Sequence, residues 1–293
     1  MPEPVNWQNP YQQRDGQWLR GNLHAHSTSG SHCSAVPLPR LLDLYATAGY
    51  DFLSVSDHMS LTAVADPRLT LIPGIEWNSP DGEHVGVYGF DVELISRMCT
   101  EWSQPAMLAT MAPTGALLVM NHPNWTLRPH YHREELEAAQ GYQGIEIYNG
   151  VIKRMDGSEY ATDKWDYLLS RGRRVLGFAS DDTHVEGDVA RGWIMTRCRS
   201  RRPHDILQAL CSGNFYCSNG VTITDIRRDG NQITIESADA QEIQFVGTMG
   251  RVIESVRDHS FSVDLTGHIQ DYVRFTLFGQ GSEMAWTQPF FLE

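Results

Sequence analysis

The sequence predicts an α/β fold in which a barrel of βα units is followed by a small antiparallel β unit. Up to residue 219, apolar runs with strand character alternate with segments whose apolar residues keep helical spacing. From residue 220 onward, apolar and polar residues alternate and no clear helix follows. We therefore expect a main α/β domain over residues 1–219 and a small β domain over residues 220–293.

The composition limits the classes of function. With 293 residues and 41% hydrophobic content, the chain can bury a sizeable core. A formal net charge of −13 argues against stable binding of nucleic acid through its phosphate backbone, although metal ions could still hold a small anionic substrate. The five cysteines include no Cys-x-x-Cys pair, which is typical of reduced thiols.

The sequence also gives an expectation for location. The first twenty residues lack an apolar signal segment, and no run approaches the roughly 18 apolar residues of a membrane span. We expect a cytoplasmic protein that does not bind membranes. Its oligomeric state stays open.

The first half of the chain is predicted to begin with a strand and a histidine-rich loop. A helix follows, opened by Pro39 and closed by Gly49, because proline suits the first helical turn and glycine the position after the last one. The predicted elements are a strand at 18–23, a helix at 39–48, strands at 52–56, 69–75 and 84–90, a helix at 105–111 and a buried strand at 116–120.

The second half continues this alternation and then changes character. Trp165, Leu168 and Leu169 share one face of a predicted helix. The predicted elements are helices at 133–140, 163–170 and 203–211 and strands at 144–148, 175–179 and 193–196. The β unit is predicted to contain strands at 221–226, 232–236, 243–246, 261–265 and 272–278.

Residues that commonly bind metal ions recur where predicted strands end. His24 and His26 lie two apart at the end of the first strand, and this spacing points both imidazoles to one face. An isolated His-x-His pair is more often two solvated or core histidines. Here, further metal-type residues follow other strands, namely Asp57, His58, Glu76, His84, His122, Asp182 and His184. Because the ends of barrel strands meet at one rim, we expect a shared site there.

These motifs resemble those of the PHP family, the polymerase and histidinol phosphatase group of metal-dependent hydrolases. They are Leu-His-Ala-His-Ser at 23–27, Val-Ser-Asp-His at 55–58, Gly-Ile-Glu at 74–76, His-Val-Gly at 84–86, Asn-His-Pro at 121–123 and Ser-Asp-Asp-Thr-His at 180–184. Each motif alone is weak, whereas all six in family order are specific. The resemblance implies a distorted (β/α)7 barrel. Segments 213–220 and 285–289 further resemble the C-terminal part of PHP metallohydrolases related to carbaryl hydrolase.

The resemblance also implies three neighbouring divalent metal ions. Their implied ligands are His24, His26, Glu76 and Asp182 for the first, His32, His58 and His184 for the second, and His84, His122 and the other oxygen of Glu76 for the third. Imidazole and carboxylate ligands without thiolate suit zinc, manganese or iron, and the sequence does not choose between them. Many family members carry aspartate in place of His32, which changes the charge balance of the second metal.

The implied chemistry is hydrolysis. Clustered metals would provide a bridging hydroxide at neutral pH and stabilise the leaving group, and Asp182 or His184 could transfer a proton. Two aspartates adjoin in the last motif, and the Asp-x-His spacing favours Asp182 over Asp181 as the ligand.

Three residues near the predicted rim are candidates for substrate binding. Arg191 and Arg128 could meet an anion, while Asn149 ends a strand and could support the substrate or a ligand. The competing interpretation of both arginines is a solvated loop charge.

The sequence therefore predicts a metal-dependent phosphoesterase acting on a small phosphorylated metabolite or nucleotide. Hydrolysis of a carboxyl or carbamate ester on the same metals is the second hypothesis, suggested by the C-terminal resemblance. A non-catalytic metal-binding module is the third. The nine implied ligands argue against it, because a module without catalysis need not keep them.

Overall fold

The structure, a computed structural model, describes residues 7–126, 131–268 and 270–292. The first elements are β1 (Trp7–Gln8), β2 (Gln17–Asn22), α1 (Leu38–Thr47), β3 (Phe52–Leu53), β4 (Thr70–Leu71), β5 (Gly74–Asn78) and β6 (His84–Tyr88). Helix α1 buries Leu41, Leu42 and Tyr45, which recur on one helical face. Gly49 follows it with a φ of 79°, a left-handed conformation that glycine adopts at little cost.

The middle of the chain alternates helices with strands. Its elements are α2 (Val92–Met98), α3 (Gln104–Met111), β7 (Leu117–Met120), α4 (Arg133–Ala138), β8 (Gly144–Asn149), α5 (Thr162–Ser170), β9 (Leu176–Ser180), β10 (Trp193–Cys198) and α6 (Pro203–Cys211). The alternation is the one that the sequence predicts, with α2 as an additional helix.

The last part of the described chain is all β apart from a single turn of 3-10 helix. Its strands are β11 (Phe215–Ser218), β12 (Ile223–Asp229), β13 (Gln232–Ser237), β14 (Glu242–Gly247), β15 (Arg251–Val256), β16 (Ser260–Asp264), β17 (Tyr272–Phe278), β18 (Met284–Thr287) and β19 (Phe290–Leu292). Its ladders are antiparallel, as the alternating pattern predicts.

One sheet carries most of the polar strand ends. It has the order β5-β6-β7-β8-β9, with antiparallel pairing from β5 to β7 and parallel pairing from β7 to β9. Buried helix residues cover it. The main hydrophobic core joins these strands to α3 and α5, for example through Met107 and Trp165, both fully buried.

The fold is mixed α/β, but the closed seven-stranded barrel implied by the resemblance is not confirmed. Among the described residues, β2, β3 and β4 belong to a different sheet from β5 to β9. Two isolated bridges link the two sheets, Ala25 with Thr183 and His58 with Glu76. Only these single bridges, and no continuous ladders, connect the two sheets there. The described residues therefore form no closed barrel.

The larger sheet runs on into the C-terminal strands. Its order is β1-β19-β17-β18-β11-β10-β2-β3-β4, with β14 and β15 attached through β17. A buried ion pair also connects the two parts, because Arg274 on β17 donates to both carboxylate oxygens of Asp166 on α5, at 2.8 and 2.6 Å. The boundary at residues 219 and 220 stays a prediction, and these contacts cross it.

Within the described ranges, no helix is both long enough and apolar enough to span a membrane.

Candidate metal centre

The polar residues at the strand ends converge on one cluster. Two histidines follow β2, one follows β3, one opens β6 and one follows β7, while a carboxylate stands in β5 and another follows β9 with a further histidine. The residues that meet there are His24, His26, His58, Glu76, His84, His122, Asp182 and His184.

Two imidazole nitrogens and two carboxylate oxygens lie close together in the most buried part of this cluster. The Nε2 atoms of His24 and His26 lie 3.1 Å apart. Each of them is 3.1 or 3.2 Å from Glu76 Oε2 and from Asp182 Oδ1. All four side chains are at most 4% exposed. Both imidazoles thus contact both carboxylates in a buried position.

This arrangement fits a metal ion. Imidazole nitrogens and carboxylate oxygens are common ligands of zinc, and His24, His26 and Glu76 each place one such atom within 4.8 Å of the other two. Each imidazole is also fixed through its other nitrogen. His24 Nδ1 contacts Glu146 Oε1 at 2.8 Å, and His26 Nδ1 contacts Ser31 Oγ at 3.2 Å. Such outer contacts commonly orient histidine ligands of metals.

Glu76 faces two groups of histidines with its two oxygens. Oε2 meets His24 and His26, and it also lies 3.2 Å from His58 Nδ1. Oε1 lies 3.0 Å from His84 Nδ1 and 3.1 Å from His122 Nε2. A carboxylate with this placement can bridge neighbouring cations.

A third group lies beside the first. His26, His58 and His184 place their ring nitrogens within 4.8 Å of one another. His184 Nδ1 contacts the backbone carbonyl of Asp182 at 2.8 Å, which leaves Nε2 for a metal ion or a proton. His32 is exposed and is absent from every such group in the described residues.

The two adjacent aspartates take opposite directions. Asp182 points into the cluster and has a φ of 52°, an uncommon left-handed conformation for a residue other than glycine. Asp181 points away and accepts hydrogen bonds from Asn22, Tyr45 and the backbone N–H groups of residues 190–192. The backbone reversal between them decides which carboxylate meets the histidines.

Glu146 is a central residue that the sequence analysis did not select. It is 3% exposed, and its Oε1 accepts from His24 Nδ1 at 2.8 Å and from Ser180 Oγ at 2.5 Å. Its Oε2 accepts from the backbone N–H of His122 at 2.7 Å and from Asn149 Nδ2 at 2.8 Å. The available signal was a carboxylate within an apolar strand, since every residue of β8 is buried.

Asp57 supports the histidine loop from the other side. Its carboxylate accepts from the backbone N–H of Ser27 at 2.7 Å and from Ser31 Oγ at 2.8 Å. Ser31 Oγ in turn contacts His26 Nδ1. Asp57 therefore acts on His26 through Ser31, rather than facing the cluster itself.

Burial and mutual attraction shift the pKa values in the cluster. Burial alone would lower the pKa of His26, but the carboxylates of Asp182 and Glu76 raise it to about 9. Burial alone would raise the pKa of both carboxyls, but the surrounding histidines, His24 first, hold it well below the usual range. His58 differs, because burial lowers its pKa to about 4. The centre thus holds ionised carboxylates in a buried position, which favours cations.

An open pocket of about 340 Å³ leads to the cluster. Asn149 is buried and does not line this pocket, but its Nδ2 contacts Asp182 Oδ2 at 3.2 Å. Arg191 is exposed and donates from Nε to the carbonyl of Gly187, and it does not line this pocket. Arg128 lies outside the described residues. Arg154, which the sequence alone suggests is a surface residue, is exposed and also lines the pocket.

The fold of this chain is similar to those of several solved structures. A two-domain protein from Bacteroides vulgatus that contains a predicted PHP-like metal-dependent phosphoesterase is 14% identical, with a TM-score of 0.52 and coverage of 98% of this chain and 89% of that chain. The lesion-specific endonuclease Q from Pyrococcus furiosus is 11% identical, with a TM-score of 0.52 over 66% of this chain and 55% of that chain. No protein-family model and no curated protein matches the sequence.

A second structure of endonuclease Q, bound to a 27-mer duplex with an abasic lesion, is 12% identical, with a TM-score of 0.51 over 68% of this chain and 58% of that chain. At such identities the likeness concerns the fold. The mixed α/β chain therefore shares its fold with a protein that contains a predicted PHP-like metal-dependent phosphoesterase, which confirms the resemblance of the six motifs at the level of the fold.

Proposed function

We propose that this protein is a metal-dependent hydrolase and that it cleaves phosphoesters of small molecules. The observation that carries the proposal is the buried set of His24, His26, Glu76 and Asp182, in which two imidazole nitrogens lie 3.1 or 3.2 Å from two carboxylate oxygens. The shared fold with a protein that contains a predicted PHP-like metal-dependent phosphoesterase supports the same class.

Three metal positions are proposed. The first uses the buried set, the second uses His58 and His184, and the third uses His84 and His122 with Glu76 shared between positions. His32 stays a candidate for the second position, and its exposure makes it the weakest of the proposed ligands. When bound, divalent metals would activate water and polarise the substrate oxygen.

The chain's own residues have separate tasks in this proposal. Glu146 and Ser31 hold the rings of His24 and His26 in place. In hydrolysis, the oxygen of water bonds to phosphorus, the bond from phosphorus to the organic oxygen breaks, and that oxygen takes up a proton. His184, which is 20% exposed at the pocket, is proposed either as a ligand of the second position or as the group that holds this proton, because Nε2 cannot bind a metal ion and a proton together.

Two other substrate classes follow from specific observations. The apolar part of the pocket lining, Val151, Ile152, Met155 and Val185, also suits a carboxyl or carbamate ester. The fold shared with endonuclease Q suggests duplex DNA as another substrate class, because a structure of that protein includes a duplex with an abasic lesion. The net charge of −13 opposes DNA binding.

The test compares turnover with metal content. Protein loaded with manganese or zinc is assayed on p-nitrophenyl phosphate, p-nitrophenyl acetate and a duplex with an abasic lesion, and bound metal is counted by mass spectrometry. Asp182→Asn should lose metal and phosphate release together, whereas Asp258→Asn, at an exposed turn, should retain both. Turnover of the acetate alone, or of the duplex alone, would refute the phosphoester assignment. Retained metal without any turnover would refute the hydrolase.

A further inference from the structure

The wall of the pocket above the metal centre is apolar. Trp125 packs edge-on against His122, with ring centroids 5.4 Å apart. The remaining wall comes from the segment after β8 and from the residue after His184, and it consists of Val151, Ile152, Met155 and Val185. The pocket thus has a polar floor for an acidic group and an apolar wall beside it.

Two wall residues are exposed to an unusual degree. Met155 is 38% and Val185 is 42% exposed, and they are two of only six large hydrophobic side chains exposed in the described ranges. Both stand at the same pocket, whereas Val151 and Ile152 behind them are 2% exposed. Apolar side chains that remain exposed beside a polar site are typical of ligand-binding surfaces.

The cation that lines the pocket is largely neutralised. Arg154 donates from Nε and Nη2 to the two carboxylate oxygens of Asp188, at 2.9 Å each. Asp188 also accepts the backbone N–H groups of His184 and Val185 at 3.0 Å. This pair holds Arg154, which follows β8, against the segment that carries His184, Val185 and Asp188.

We propose that the organic group of the substrate is compact and apolar, such as a small aryl or branched alkyl group, and that Met155 and Val185 select it. This inference rests on the hydrolase function proposed above. A nucleobase or sugar against these side chains would lose hydrogen bonds to water without replacement. The pocket volume of about 340 Å³ lies near the lower end for ligand sites, which favours a small group.

The inference is tested with substrates of equal charge and different organic groups. Phenyl phosphate is compared with glycerol phosphate and uridine monophosphate by kcat/KM for phosphate release. Phenyl phosphate should be preferred, and Met155→Gln should reduce its advantage over glycerol phosphate roughly tenfold, because one side chain of an apolar pocket discriminates on that scale. Met249→Gln is the matched control, since Met249 is 59% exposed in the C-terminal part.

Binding gives a reading that does not depend on turnover. Calorimetry compares phenylphosphonate with methylphosphonate on the metal-loaded protein, and the phenyl compound should bind about tenfold more tightly in the unaltered protein and not in Met155→Gln. Equal binding, tighter binding of the methyl compound, or binding of neither would overturn the inference. If no ester is hydrolysed but the phenyl compound binds preferentially, the proposed function fails and the apolar selectivity stands.

Discussion

Replacing Glu146 by glutamine tests how the outer contacts control metal binding. The carboxylate accepts four hydrogen bonds, two at each oxygen. Glutamine keeps the shape but replaces one oxygen by an NH2 group, which cannot accept. That group cannot face the backbone N–H of His122, because an N–H group only donates. It must therefore turn toward His24 and Ser180.

The consequence falls on His24. Facing an NH2 group, Nδ1 of His24 must become the acceptor, so the ring proton moves to Nε2. Nε2 is the atom that lies 3.1 Å from His26 Nε2 in the set that is proposed to bind metal. A protonated Nε2 cannot bind a metal. Either Nδ1–H of His24 stays in place and faces the NH2 group, two donors without an acceptor, or the proton moves and the metal loses a ligand. We expect metal affinity to fall about 10- to 100-fold, the usual effect of losing such a contact, which corresponds to about 1.4 to 2.8 kcal/mol.

The assay is competition between the protein and a fluorescent chelator for zinc, at pH 7.5, after circular dichroism has shown that the variant is folded. Glu254→Gln, on the exposed strand β15, is the control and should bind zinc as the unaltered protein does. Nitrogen-15 NMR of the imidazole should report the changed tautomer of His24. A folded Glu146→Gln protein with unchanged zinc affinity would refute the reasoning.

Three further predictions concern stability, pH and the ligand set. Arg274→Met should destabilise the protein by about 3 to 5 kcal/mol, because it leaves Asp166 buried without its charged partner. The midpoint temperature of thermal unfolding should decrease by roughly 10 °C, and an unchanged midpoint would contradict the role of this pair. In the metal-free protein, the raised pKa of His26 contributes stability that is complete below its ordinary pKa near 6.5 and is lost as the pH rises through about 9, whereas the depressed pKa of Asp182 contributes stability that is lost only as the pH falls below its usual range. The midpoint temperature of thermal unfolding of the metal-free protein should thus decrease as the pH is raised from 6.5 to about 9. Over the same range, the stability that zinc adds should increase, because protons compete less for the ligands, and a zinc effect that is constant with pH would count against proton competition. His32→Ala should change zinc stoichiometry less than His58→Ala does, because only the latter side chain lies within the cluster; equal losses would restore His32 as a full ligand.

Several features of this protein follow from the sequence because they depend on neighbours in the chain. The period of two brings His24 and His26 to one face, and the helix at Pro203–Cys211 has the predicted bounds. Other bounds shift where one residue has a local effect. The predicted strand at 69–75 is divided into β4 and β5 around Pro73, which has no N–H to donate to a ladder.

The tertiary structure decides which distant side chains meet. The six motifs indicated a metal centre, yet spacing alone could not place Glu146 behind His24, since 122 positions separate the two residues. It could not show that His32 lies exposed while nearby His26 is buried, because the direction of a loop side chain depends on what packs against it. In the sequence, only the Asp-x-His spacing favours Asp182 over Asp181. In the folded chain, Asp182 itself has a left-handed backbone conformation after β9, and this conformation turns its carboxylate toward the histidines. Local periodicity thus determines the elements and the kinds of side chain at their ends, while the close packing of separated segments determines which of them form the site.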